Sequence, residues 1–476
     1  MANRESIERH LRELEGLPGL PRTDELERRI RAGIEQGKAM KEKVRSRRRR
    51  GAWTGIAACL LLVLCVGFIR LSPAFASFVQ EIPGMEAFVK YIRNSEDRSL
   101  GLALDHQYVQ PLDLADEYGG ISFRVEGMIA DENRALIFYA IDGGSDRRPI
   151  TADRVEAKSV SGDELGDMTS YGEHGVEQEK PFKGTTRGIA DIQLTGDRRL
   201  PDRFVLEASL RVADPDASIP NPLSNEPPEA YEPDRPNEHL YRVEIPVDHA
   251  RFAGMKQTYR LNETIVADGQ RIEFVSATVT PLQVMAELKA DPANTRRVFG
   301  AGDIRLVDEN GEEWKSFWSR GQLDEGATIG FESPYLREPK ELYLVGSWFR
   351  ALDKSKLDIV VDTESGQLLR SPDGLKYKGA VPYGDYTKLT FSVTTDREAD
   401  PMLYLGIFEH EFQDAAGRTH DTASLAGLVG GSTGSGTEGE QESYLYLENE
   451  KYAQPLTFRV YQYPDYIRKP FRIRVK

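Results

Sequence analysis

Residues 120–142 read GISFRVEGMIADENRALIFYAID, and this stretch decides the fold class. Ile121, Phe123 and Val125 alternate with Ser122, Arg124 and Glu126, the period-two pattern of a half-buried strand. Asp131-Glu132-Asn133 is turn chemistry, and residues 135–141 form a second apolar run. Together they predict an antiparallel hairpin.

The same alternation recurs downstream. Phe204, Leu206, Ala208, Leu210 and Val212 predict a strand. Seven prolines between Pro215 and Pro236 mark a stiff linker or surface loop. A second β-region opens near residue 240. Residues 271–280 (RIEFVSATVT) and 283–288 predict a strand pair, and Asp308-Glu309-Asn310-Gly311 a hairpin turn. Residues 120–125 and 269–274 echo one another loosely, each opening a hairpin early in its region. A third region follows Ser371-Pro372-Asp373-Gly374, with strands expected at 388–395, 402–408, 444–447, 456–461 and 471–475. Short strands separated by turn signals predict a mainly β protein with two or three immunoglobulin-like β-sandwich domains.

Upstream, the period becomes helical. Phe75, Phe78, Val79 and Ile82 recur at i, i+3, i+4 and i+7, as do Met85, Phe88, Val89 and Ile92 after Pro83-Gly84. This spacing predicts two short amphipathic helices, expected to dock on the first β-domain. Before them, residues 51–69 (GAWTGIAACLLLVLCVGFI) carry no charge. At 1.5 Å per residue the segment spans roughly 28 Å, enough to cross a bilayer as one helix. Its boundaries are Arg50/Gly51 and Ile69/Arg70, with Trp53 as an aromatic anchor. A cleaved leader ending at Ala74-Phe75-Ala76 and lipidation at Cys59 both fit less well. The apolar run is too long for an h-region and continues past Cys59.

Four arginines, 47–50, abut the span, so residues 1–50 are expected inside and 70–476 outside, at the cell membrane. Residues 1–50 hold 15 Lys+Arg against 9 Asp+Glu, leaving −21 of the chain's −15 net charge to the remainder. The expected organisation is a cytoplasmic basic helical segment at 1–50 and a transmembrane helix at 51–70. A membrane-proximal ectodomain (71–214), the proline-rich linker (215–239), a second sandwich (240–370) and a third β-domain (371–476) follow. Within the inner segment, Leu11 and Leu14, and Leu26, Ile30 and Ile34, form apolar stripes too small to make a core. They are the candidate partner-binding residues. The arginine run faces anionic lipid, so membrane lipid is an expected partner and direct nucleic-acid binding is not.

Catalytic chemistry is not expected. Both cysteines, Cys59 and Cys65, lie in the span, and no H-E-x-x-H, Walker loop or G-x-S-x-G is present. Glu409-His410-Glu411 with His420 lacks ligand geometry, since a strand points Glu409 and Glu411 away from His410. The Asp308–Glu312 segment lacks calcium-loop spacing. No metal or other cofactor is expected. Trp314, Trp318 and Trp348 are read as core residues of the second β-region.

The segments SPAFASFVQEIPGMEAFVKYI (72–92), SLGLALDHQYVQPLDL (99–114) and GISFRVEGMIADENRALIFYAID (120–142) carry a resemblance. They resemble a family of single-pass membrane proteins of Gram-positive bacteria, defined by an ectodomain of unknown function. Residues 240–368 look like the second β-domain that often accompanies it. The family resembles anti-sigma factors that pair with an extracytoplasmic-function (ECF-type) sigma factor. That implies a signal-transducing regulator whose outer domains sense the cell envelope and whose inner helices hold a cytoplasmic sigma factor. His10 stands without a cysteine in residues 1–50, so the grip implied is helical and metal-free rather than the zinc motif of many anti-sigma factors. The alternative is an envelope binding or scaffold protein, with a wall or envelope ligand outside and a passive anchor.

Overall fold

The computed structural model describes Arg28 and residues 85–106, 108–143, 150–166, 168–173, 185–196, 198–212, 238–395, 400, 406–422, 432–433 and 439–476. The boundary residues Arg50, Gly51, Ile69 and Arg70 and the candidate partner-binding residues Leu11, Leu14, Leu26, Ile30 and Ile34 lie outside them. So do the linker prolines and the first amphipathic repeat. Among the described residues, no helix is long and apolar enough to cross a membrane. These residues are mainly β, with two α-helices.

Helix α1 (Met85–Asn94) is the second repeat of the predicted pair, and its Phe88 and Ile92 are buried as the spacing requires. Helix α2 (Arg98–Asp105) starts at Asp97, whose carboxylate accepts the Ser99 N–H at 3.0 Å as an N-cap.

Eight strands follow: β1 (Val109–Tyr118), β2 (Ile121–Ala130), β3 (Arg134–Asp142), β4 (Ile150–Ser159), β5 (Met168–Glu173), β6 (Thr185–Gln193), β7 (Arg203–Val212) and β8 (Tyr241–Pro246). They form antiparallel sheets of order β1-β2-β3-β6-β5 and β4-β7-β8, whose inner faces share one core. The predicted hairpin is β2–β3, paired from Ser122↔Asp142 to Ala130↔Ala135 with a shift of register between Val125 and Gly127. Strand β3 is apolar on both faces for a reason. Ala135, Ile137, Tyr139 and Ile141 enter the shared core. On the other face, Phe138 meets Phe88 of α1, ring centroids 4.4 Å apart. A strand covered on both sides reads as a continuous apolar run rather than an alternating one.

The second unit comprises β9 (Gln257–Ala267), β10 (Gln270–Val279), β11 (Val284–Ala290), β12 (Arg296–Ala301), β13 (Arg305–Asp308), β14 (Glu313–Arg320), β15 (Ala327–Phe331) and β16 (Leu342–Asp353). They run in one sheet of order β12-β16-β13-β14-β15-β11-β10-β9 around a single core. The echo between 120–125 and 269–274 has a structural basis. Both follow two-residue turns with positive φ at both positions, Gly119-Gly120 and Asp268-Gly269, the mirror-type turn that suits hairpin twist. Trp314 fills the core, Trp348 is buried, and Trp318 covers Gly330 while donating to Gln283 Oε1 at 3.4 Å.

The third unit holds β17 (Asp358–Asp362), β18 (Gln367–Arg370), β19 (Leu375–Tyr383), β20 (Tyr386–Thr394), β21 (Phe408–Gln413), β22 (Thr419–Asp421), β23 (Ser432–Thr433), β24 (Glu440–Glu448) and β25 (Leu456–Val460). Its sheets, β18-β17-β25-β21-β22 and β19-β20-β24-β23, also share a core. The last strand, β26 (Tyr466–Arg474), returns to the second unit and pairs with β16.

Strand partners therefore differ from the sequence partition at three places. Strand β8, read as the head of the second region, pairs with β7, because Tyr241, Val243 and Ile245 complete the first core. Strands β17 and β18, read with the second region, pair within the third unit. Strand β26, read as part of the third, sends Ile467, Phe471 and Ile473 into the second core. Alternation marks which residues turn inward but not which core they enter.

Candidate functional junction

The polar residues of the β2–β3 turn do more than close a hairpin. Asp131 is fully buried. Its Oδ1 accepts the N–H groups of Asn133 (2.8 Å) and Arg134 (2.9 Å), and its Oδ2 accepts the N–H of Leu282 (2.8 Å) in the second unit. Burial pushes the Asp131 carboxyl up, while Thr280 and the three backbone donors pull the other way. The carbonyl of Asn133 accepts from Gln283 Nε2 at 3.3 Å. The first and second units are thus joined by backbone groups that would otherwise be orphaned in the seam.

Arg134 follows and is 3% exposed. Its guanidinium forks onto Asp191 of β6, with Nε–Oδ1 at 3.0 Å and Nη2–Oδ2 at 2.7 Å. Nη1 donates to Asp97 Oδ2 at 2.7 Å and to the Leu282 carbonyl at 3.1 Å. The ring of Phe317 lies 4.7 Å from the guanidinium carbon. Burial alone would lower its pKa, but Asp191 and Asp97 outweigh burial and raise it, so the charge is held.

Three successive residues at the start of α2 divide their contacts between the two units. Asp97 caps the helix and binds Arg134. Arg98 turns to the second unit, with Nη1 at 2.8 Å from Glu312 Oε1 and Nη2 at 3.3 Å from Glu332 Oε2. It also donates to the Glu313 carbonyl and stacks 4.0 Å over Trp314. Ser99 Oγ accepts the Ser333 N–H at 2.6 Å. Glu332 is itself buried and accepts the Lys315 N–H at 2.9 Å. The helix start is therefore bound on one side to the first unit and on the other to the second.

Beside this network lies a cleft of about 290 Å³ whose lining includes Tyr91, Glu96, Arg134, Asp191, Lys315 and Phe317. Burial pushes the Tyr91 hydroxyl above its ordinary value, and Asp191 adds to the shift. The charged groups at its floor are engaged with one another, which makes the arrangement a tie between units.

None of these residues stands out in the sequence as a link between units. Asp131-Glu132 reads there as one acidic pair among many in a chain with 77 Asp+Glu. The one available signal is an arginine at the head of an otherwise apolar run. At the other motifs, Glu409 of the Glu409-His410-Glu411 strand pairs with Arg297 at 2.8 Å. Among the described residues, no group of three His, Cys, Asp or Glu is placed to hold a metal. Asp308 Oδ1 accepts the N–H groups of Asn310 (2.8 Å) and Glu312 (2.9 Å), turn bonding that uses the oxygen a cation would need.

Comparison with known proteins places this junction, apart from Asp191, within two recurrent segments. Residues 46–143 match the family described as "Domain of unknown function (DUF4179)". Residues 256–377 match the "Family of unknown function (DUF5643)". The first holds the α2 start and the β2–β3 turn; the second holds Leu282, Gln283, Glu312, Glu332 and Ser333. No curated protein matches the chain. A solved structure titled "The crystal structure of the conserved domain protein from Bacillus anthracis" is similar at 10% identity, covering 57% of this chain and 82% of its own, with a TM-score of 0.36.

Proposed function

We propose that the chain is a single-pass membrane regulator of the anti-sigma-factor type. In this reading, residues 51–70 cross the cell membrane and residues 1–50 lie in the cytoplasm. The outer immunoglobulin-like β-domains respond to the envelope. Leu11, Leu14, Leu26, Ile30 and Ile34 hold an ECF-type sigma factor, with no metal and no direct contact to nucleic acid. The observation that carries it is the extent of the first family match. Residues 46–143 begin in the arginine cluster, include the apolar span and end at the close of β3. The span, α1, α2 and the first hairpin thus recur as one unit. A passive anchor needs no such linkage, whereas a signalling chain does.

Capture by the full-length chain, extracted in mild detergent, tests this directly. The wild type is expected to recover a sigma factor. Leu26→Asp/Ile30→Asp/Ile34→Asp is expected to lose it while still reaching the membrane. Recovery of no sigma factor, or equal recovery by the variant, would overturn the reading. Replacing residues 1–45 by an unrelated basic tail separates it from the scaffold alternative, which expects function to survive.

A further inference from the structure

The last nine residues, 468–476 (RKPFRIRVK), hold five cations and no acid in a chain of net charge −15. Strand β26 sorts them. Ile467, Phe471, Ile473 and Val475 enter the second core, so Arg468, Arg472, Arg474 and Lys476 take the outer side, and all four are exposed, as is Lys469. Cross-strand register extends the row. Arg472 stands opposite Val345, Val345 opposite Arg305, and Arg305 opposite Lys315. Residues directly opposed in an antiparallel sheet share a face.

Part of this charge is neutralised. Arg474 meets Glu341 at 3.8 Å, Arg305 meets Glu313 at 2.8 Å, and Lys315 meets Glu96 at 3.7 Å. Among the described residues, Arg468, Lys469, Arg472 and Lys476 have no carboxylate within ion-pair distance, and Arg472 lies 3.7 Å over the Tyr343 ring instead. Cations two residues apart on a strand stand about 7 Å apart, so the row from 468 to 476 runs about 27 Å. Such a ladder suits a linear polyanion better than a single phosphate.

We propose that this face binds an extended phosphodiester polymer. Charge complementarity argues for it: the acidic remainder of residues 51–476 would repel the polymer and confine it there to the basic row. A bilayer surface suits the face less, because interfacial elements that lie on lipid set an exposed apolar face beside their cations. Among the described residues, the exposed large apolar side chains are Tyr118, Val160, Val266, Leu369 and Tyr461, none of them on β13, β14, β16 or β26. The inference stands apart from the identity of the inner partner.

The experiment is lysine-acylation footprinting, read by mass spectrometry, of the full-length chain in phosphatidylcholine nanodiscs. Poly(glycerol phosphate) is the probe. Lys376 and Lys378, an exposed pair beside Glu440 in the third unit, are the internal reference. The polymer is expected to slow modification of Lys469 and Lys476 at least threefold and to leave Lys376 and Lys378 unchanged. Arg472→Glu/Arg474→Glu should abolish that protection, with its thermal midpoint showing that the fold persists. A second double variant, Arg472→Gln/Arg474→Gln, serves if the first does not fold. Equal protection of all four lysines, no protection, or protection retained in the variant would each overturn the proposal. So would protection by phosphatidylglycerol vesicles in the absence of protection by the polymer.

Discussion

The seam between the first and second units and the seam between the second and third are built on opposite principles. The first is polar: Asp131, Arg134, Asp97, Arg98 and Glu332 bridge it through buried charge and backbone hydrogen bonds. The second is largely apolar: Phe299 of β12 and Leu352 of β16 leave their own sheet and join the third core. Ion pairs flank it, Arg297 with Glu409 at 2.8 Å and Arg350 with Asp400 at 2.5 Å. An apolar seam tolerates sliding among similar packings, because the hydrophobic effect is non-directional. A polar seam has one register, and each missing partner leaves a buried group unsatisfied. The chain places its directional seam where α1 and α2 enter the β-structure.

Removing one charge from the polar seam should therefore have the largest effect. Arg134→Met leaves Asp97 and Asp191 without their buried partner, and is expected to cost about 3–5 kcal/mol in urea unfolding of the full-length chain. Arg134→Lys keeps the charge but not the fork, and should recover only part of it. If the two variants behave alike, the bidentate geometry is irrelevant and the contrast between seams weakens.

Leu352→Ala probes the apolar seam. Its expected cost is about 2–4 kcal/mol from lost burial and the cavity left behind. Leu352→Met is expected to be nearly neutral by the same measurement. A large loss on Leu352→Met would show that the second seam is as geometrically exacting as the first.

Ser99→Ala removes one neutral acceptor from the polar seam and should cost about 1 kcal/mol, seen as a small drop in the urea midpoint. Smaller still is Glu313→Gln, which breaks an exposed pair with Arg305. Less than about 0.5 kcal/mol is expected there, vanishing at high salt. A loss at Glu313 equal to that at Arg134 would mean that burial does not set the scale.

The sequence carried the alternating strands and hid the seams; of the strand expected at 402–408, only Phe408 among the described residues lies in one, β21 (Phe408–Gln413). Alternation at 121–125, 204–212 and 271–280 reports burial on one face, a local property that survives in a linear text. Membership of a core is not local. Strand β8 lies in sequence beside the second region and pairs with the first, while β26 crosses the third unit to pair with β16. The junction is less legible still, because Arg98 and Glu332 stand 234 residues apart and Arg134 and Leu282 stand 148 apart. Aspartate in a turn and serine at a helix start have ordinary local uses, so their long-range partners leave no mark. The apolar stripes at Leu11, Leu14, Leu26, Ile30 and Ile34 are a sequence reading that the described residues do not reach.

The central claim is that the start of α2 belongs to both units at once. Hydrogen exchange of the α2 amides in the full-length chain tests it, comparing wild type with Arg134→Met on one side and Glu332→Gln on the other. The account expects each variant alone to speed exchange across residues 98–105 by at least tenfold. Exchange that rises only in the β2–β3 turn for the first variant and only near β15 for the second, with α2 as protected as before, would contradict it.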